Sequence, residues 1–133
     1  MDSYLQNYIN GQWVDSIGGK RHQVLSPSTE EPCTEITLGT KADVDAAVAA
    51  AKEAFKTFSQ TSREERIALM ERIVAEMKKR AGDLAVSMSK EMGAPISFAG
   101  TAQVGAGIGG FLGTLEALKD FNFTEQAGAA KVV

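Results

Sequence analysis

Polar and apolar positions alternate over short runs in the first third of the chain and recur at three- and four-residue steps in the rest. The change falls near Gly39. Residues 1–39 predict strands and hairpins. Tyr8-Ile9-Asn10-Gly11-Gln12-Trp13-Val14 reads as a small hairpin, because Asn and Gly both tolerate the positive φ of a type I′ turn. Gln23–Leu25 predicts a short strand. The run Ser26-Pro27-Ser28-Thr29-Glu30-Glu31-Pro32 predicts a turn, with Pro27 presetting φ and hydroxyls able to bond nearby backbone. Thr34–Leu38 alternates polar and apolar residues, β-branched ones among them, the pattern of a half-buried strand.

Residues 40–120 predict a cluster of about four α-helices. Thr40 is placed to cap the first, with Asp43 as the reciprocal partner of a capping box. Val44, Ala47, Val48, Ala51, Phe55 and Phe58 then form one apolar stripe. Ser62 with Glu65 opens the second helix in the same way, and Ile67, Met70, Ile73, Val74 and Met77 are its expected buried face. Glu76 and Arg80 stand four apart in the favourable order. Gly82 is expected to end this helix in a left-handed cap. A third helix is predicted over Asp83–Met92 with Leu84 and Met88 inward, stopped by Gly93-Ala94-Pro95. The fourth runs from Ser97 to about Lys119 on the spacing of Val104, Ile108, Phe111, Leu112, Leu115 and Leu118. It carries six glycines, at 100, 105, 107, 109, 110 and 113. Together they weaken it by roughly 3–6 kcal/mol relative to alanine. Packing must therefore hold it, and Gly105–Gly110 is expected to lie close against a neighbouring helix. Residues 121–133 end in Lys131-Val132-Val133, which reads as a strand beginning.

Composition narrows the possible functions. The chain has 133 residues, enough for one domain, with 44% hydrophobic and 23% charged residues. Fourteen Lys and Arg against 17 Asp and Glu leave a net charge of −3, so no basic excess exists to hold nucleic acid. The first residues lack a basic segment followed by an apolar one, and no apolar run is long enough to span a bilayer. A cytoplasmic protein away from membranes is the expectation. Without a secretory signal, the Asn122-Phe123-Thr124 sequon carries little weight.

The chemistry candidates are few. Gly105-Ala106-Gly107-Ile108-Gly109-Gly110 matches GxGxxG, a dinucleotide fingerprint that works only where it follows a strand and opens a helix. Here residues 97–104 carry the same helical phase as the glycine run itself, so packing glycines are the better reading. Gly100 to Ala106 has Walker A glycine spacing but no lysine for the phosphates. Cys33 is the only cysteine and has Glu30, Glu31 and Glu35 around it, not the cationic company a catalytic thiolate needs. It reads as a packed or edge residue. His22, among Lys20, Arg21 and Gln23, reads as a solvated turn histidine. Glu64-Glu65 suits a helix N-terminus, Glu30-Glu31 an exposed turn. Met70, Met77, Met88 and Met92 fit core filling at helical phase. No catalytic, cofactor-binding or metal-binding residue is assigned within the chain.

The order of these pieces resembles the N-terminal segment of the NAD(P)-dependent aldehyde dehydrogenase superfamily. Tyr8–Val14 is similar to the family's first hairpin, and Ser26-Pro27-Ser28-Thr29-Glu30 to its Pro-Ser/Ala-Thr-Gly-Glu turn. Lys41 to Phe55 resembles its first helix, and Ser62-Arg63-Glu64-Glu65-Arg66 with Leu69-Met70 and Ile73 its second. Glu91-Met92-Gly93-Ala94-Pro95 resembles its Glu/Asp-x-Gly-Lys-Pro stretch. Glu30 stands where the family usually has glycine, so the turn must either avoid positive φ there or be strained.

The resemblance implies an α/β fold, with this chain the first part of a Rossmann-type cofactor domain. Residues 121–133 would start an oligomerisation arm or the first following strand. It implies an enzyme that oxidises an aldehyde to a carboxylic acid with NAD or NADP, acting as a homo-oligomer. Its catalytic Cys, Glu and Asn and its cofactor strands would come after position 133. The chain is thus expected to be a fragment, inactive and without cofactor by itself, marginal in stability and sticky through Phe55, Phe58, Phe111 and Leu115. The remainder of the enzyme would be its partner. The alternative is a free-standing helical interaction domain without catalysis.

Overall fold

A computed structural model describes residues 2–132, and strands give way to helices where the pattern changes. The N-terminal part has two small sheets. In the first, β5 (Pro32–Thr37) lies between β1 (Asp2–Tyr4), parallel to it, and β4 (Arg21–Leu25), antiparallel to it. In the second, β2 (Gln6–Ile9) and β3 (Gln12–Asp15) pair around Asn10-Gly11. Asn10 and Gly11 have φ of 53° and 76°, as the predicted hairpin requires. β1 is unsignalled in sequence: it is three exposed residues whose partner lies some thirty positions away. His22 lies within β4 opposite Ile36, a strand residue and not the turn residue expected. Its neighbours' polarity hid a strand that faces solvent on most of its length.

The turn between β4 and β5 closes with Glu30 N–H donating to Ser26 O at 2.8 Å and Ser26 N–H to Glu31 O at 2.9 Å. Glu30 takes φ of 60°, so the strained alternative is the one realised. Glu30→Gly is expected to stabilise the protein by about 1 kcal/mol, the usual cost of a side chain in the left-handed region. A higher urea midpoint with unchanged circular dichroism checks this.

Both predicted capping boxes form. Thr40 caps α1 (Lys41–Phe58) with Asp43, and Ser62 caps α2 (Arg63–Lys79) with Glu65. Glu76 reaches Arg80 at 3.4 Å. Gly82, however, does not terminate α2. The helix ends at Lys79 with Arg80 as its cap, and Gly82 lies inside α3 (Ala81–Met92) with ordinary φ. The sharp left-handed stop comes at Gly93, φ 74°, after α3.

The predicted fourth helix is broken at its start. Pro95 leads into a short turn α4 (Ile96–Phe98), then a π-helical turn over Ala99–Gln103, then α5 (Val104–Asp120). The Val104 N–H donates to Ala99 O, five residues back. This wider turn places positions i and i+5 on one face. Ala99 and Val104 can therefore both join Ala85 in the core, with Leu84, Met88 and Ile108 against them. Val74 and Leu115 are also buried, so Leu115 is not part of an exposed stripe as expected. Conversely Met92 is exposed and not core, lying at the last position of α3. Phe111 and Leu112 of α5, and Val44, Val48, Phe55 and Phe58 of α1, are exposed as well. α1 lies against β2 and turns this stripe to solvent.

After α5, β6 (Glu125–Ala127) and β7 (Ala130–Val132) form a hairpin about Gly128. The strand predicted at the chain's end is thus the second arm of a hairpin, and Val133 lies outside the described residues.

Candidate functional site

Polar side chains converge most densely where the β segment meets α1. Asp43 is 5% exposed, yet its carboxylate is fully solvated by protein donors. Ser16 Oγ donates to it at 2.5 Å, the Ile17 N–H at 2.8 Å and the Thr40 N–H at 2.7 Å. Thr40 Oγ1 in turn donates to Ile17 O at 3.0 Å. The Ser16 hydroxyl above all, then the Ile17 and Thr40 amides, hold the Asp43 carboxyl well below the usual carboxylate range. Gly19 is required here, because a Cβ would collide with Ser16 Oγ and Leu38 O. The sequence marked Asp43 as a capping residue, but the Ser16–Ile17 contacts come from distant chain and leave no local signal. The arrangement is a structural knot. Its carboxylate accepts several bonds at once, all from hydroxyl and amide donors, and among the described residues it has no titratable hydrogen-bond partner, so it is no acid–base pair.

The other candidates are scattered. Cys33 is buried in β5 and its thiol donates to Val24 O at 3.3 Å. Lys90 of α3 pairs instead with Asp2 at 2.6 Å, which lowers the Asp2 carboxyl and raises the lysine. Glu64 and Glu65 occupy the first turn of α2, and Glu30 and Glu31 the exposed β4–β5 turn. Among the described residues no group of three or more His, Cys, Asp and Glu is placed to hold a metal ion.

The glycine motif does not fit a dinucleotide. A phosphate cradle needs unpaired N–H groups at a helix start. Gly105–Gly110 instead lies inside α5, and Gln103 before it is already helical at φ −74° and ψ −50°. Nor do all its glycines serve packing, as expected from sequence. A Cβ at Gly107 would touch Met77 Cε at 3.7 Å, whereas Gly105, Gly109, Gly110 and Gly113 face open space. Together with α1, α5 therefore presents surface that the described residues do not cover. Among those residues, no helix is long and apolar enough to cross a membrane.

The aldehyde dehydrogenase family profile matches residues 13–129. The chain belongs to the aldehyde dehydrogenase family. A putative aldehyde dehydrogenase of Staphylococcus aureus is 38% identical over the whole chain, as is a 3-succinoylsemialdehyde-pyridine dehydrogenase of a Pseudomonas species. The chain spans about 28% of the length of these curated relatives, and corresponds to an N-terminal segment of the aldehyde dehydrogenases. The structure is similar to the aldehyde dehydrogenase of Bartonella henselae, with a TM-score of 0.93 and 40% identity, covering 97% of this chain and 27% of that one. It is also similar to a Pseudomonas syringae aldehyde dehydrogenase mutant solved with NAD+ and octanal, with a TM-score of 0.89 and 36% identity, covering 92% and 25%. The expected fold, the opening of a Rossmann-type aldehyde dehydrogenase, is thus the fold found.

Proposed function

We propose that this aldehyde dehydrogenase segment works as the leading part of an NAD(P)-dependent enzyme that oxidises an aldehyde to a carboxylic acid. The observation that carries the reading is the match along essentially the whole chain, at high structural similarity, to about a quarter of each relative. Its task is structural. The capped helices and the knot at Asp43 form a scaffold, and the exposed faces of α1 and α5 offer apolar and close-approach surface to the enzyme's remaining domains. Nucleophile, base and cofactor contacts come from those domains. Oxidation to the acid uses the bound nicotinamide as hydride acceptor, with NAD or NADP equally compatible with this segment. Assembly as a homo-oligomer, with residues 121–133 in an oligomerisation arm or a following strand, and a cytoplasmic location away from membranes and nucleic acid belong to the same reading. The net charge of −3 agrees with it.

The 133-residue chain alone is expected to bind no NAD+ by calorimetry and to form no NADH from aldehydes. Micromolar NAD+ binding, or turnover lost on Cys33→Ser, would overturn the assignment of cofactor and catalytic groups to other parts of the enzyme.

A further inference from the structure

We propose that Arg66 is a clasp that fixes the direction in which the β6–β7 hairpin leaves the helical body. Its guanidinium sits where three segments meet. Nε donates to Thr61 Oγ1 at 2.9 Å and Nη2 to Ser59 O at 3.2 Å, both in the link between α1 and α2. Its carbon lies 5.8 Å from the ring centre of Phe58 and 5.9 Å from that of Phe123. Phe123 is beyond α5, in the irregular stretch that leads into β6, and meets Phe121 edge-on with ring centres 4.9 Å apart. One turn earlier on α2, Arg63 Nη1 donates to Lys119 O at 2.9 Å, which closes the C-terminal end of α5.

The chemistry suits a clasp and not an anion site. Two aromatic faces attract a planar cation and offer nothing to anionic oxygens. Two of the guanidinium's donor nitrogens are committed to the α1–α2 link, so the cation is fixed before Phe123 docks on it. Phe58 and Phe123 are 48% and 46% exposed, so neither supports the core, and their shared partner is Arg66. Residues 121–124 have no ladder of their own to set a direction. The hairpin's course relative to α2 therefore depends on this cation and the two rings it contacts. The clasp belongs to the segment's own geometry and stands apart from the enzymatic reading.

The test is a spin-label distance measurement on the full chain in a Cys33→Ser background. One label pair reports the hairpin, at Glu71→Cys and Glu125→Cys. A control pair within the helices is placed at Glu71→Cys and Glu91→Cys. The parent is expected to give a narrow distribution for both pairs. Arg66→Ala and Phe123→Ala should each broaden the hairpin distribution about twofold and leave the control unchanged, since a local contact is lost while the helices persist. Should Arg66→Ala fail to fold, Phe123→Ala decides, because its exposed ring can be removed without touching the core. A broad parent distribution, an unchanged width in Phe123→Ala, or equal broadening of the control pair would overturn the proposal.

Discussion

Gly93→Val lowers stability by about 2–5 kcal/mol, combining left-handed backbone strain for a branched residue with crowding of a packed contact. Gly93 has φ of 74°, and a Cβ there would stand 2.7 Å from Pro27 Cγ and 3.3 Å from Pro27 Cβ. α3 thus ends against the β4–β5 turn with no room for a side chain. The loss is large beside the roughly 5–15 kcal/mol available to a whole domain. Gly82→Ala is expected to act oppositely. It lies inside α3 with nothing near its hydrogen atoms, and alanine there should add roughly 0.5–1 kcal/mol. Urea midpoints of the two variants should move in opposite directions. Equal losses would mean that Gly82 tolerates a side chain no better than Gly93 and would contradict its assignment to an open helical position.

Removing the Asp43 carboxylate should have the second large effect. Thr40→Ala deletes one cap and costs about 0.5–2 kcal/mol. Asp43→Ala should cost more, since it leaves the Ser16 hydroxyl and the Ile17 and Thr40 amides without their acceptor. The pH dependence has a definite sign. The folded Asp43 holds its charge to lower pH than the unfolded chain, whose aspartates titrate near about 3.9. This contribution is fully present above about pH 4, declines below it as the unfolded aspartate binds protons, and is gone once acid protonates the folded carboxyl as well. Urea midpoints at pH 7 and pH 3 should therefore differ more for the parent than for Asp43→Asn. An equal acid loss in both would place the sensitivity elsewhere.

Local chemistry was legible in the sequence. The Asn10-Gly11 turn and the Thr40 and Ser62 capping boxes each depend on residues within a few positions of one another, and each formed. The non-local features were not. β1 is set by its partner β5, and Asp43 is completed by Ser16 and Ile17 across the chain. The π turn comes from fitting both Ala99 and Val104 against Ala85, a packing demand with no periodic signature. Gly82 and Gly93 look alike in sequence, and only the folded chain separates them, with Gly93 at φ of 74° against Pro27 and Gly82 inside a helix at an ordinary φ. For the candidate site, the helical phase of residues 97–104 argued against a phosphate loop at GxGxxG, and the helical backbone at Gly105–Gly110 supplies the physical reason. The stripe of α1 was read correctly as apolar. Periodicity alone could not tell whether its cover lies inside this segment, and the exposed Phe55 and Val44 show that the described residues do not provide it.

The central proposal is that this chain serves as the leading scaffold of an aldehyde-oxidising enzyme whose chemistry resides in the domains it supports. The direct measurement joins residues 1–133, at the matched position, to the remaining chain of the Bartonella henselae aldehyde dehydrogenase, which shares its fold at 40% identity. NADH formation is followed with a panel of aldehydes, with that native enzyme as control. The account predicts that the fusion reduces NAD+ in the presence of aldehyde while the 133-residue chain does not. A folded fusion that forms no NADH where the native enzyme does, or turnover by the chain alone, would contradict it.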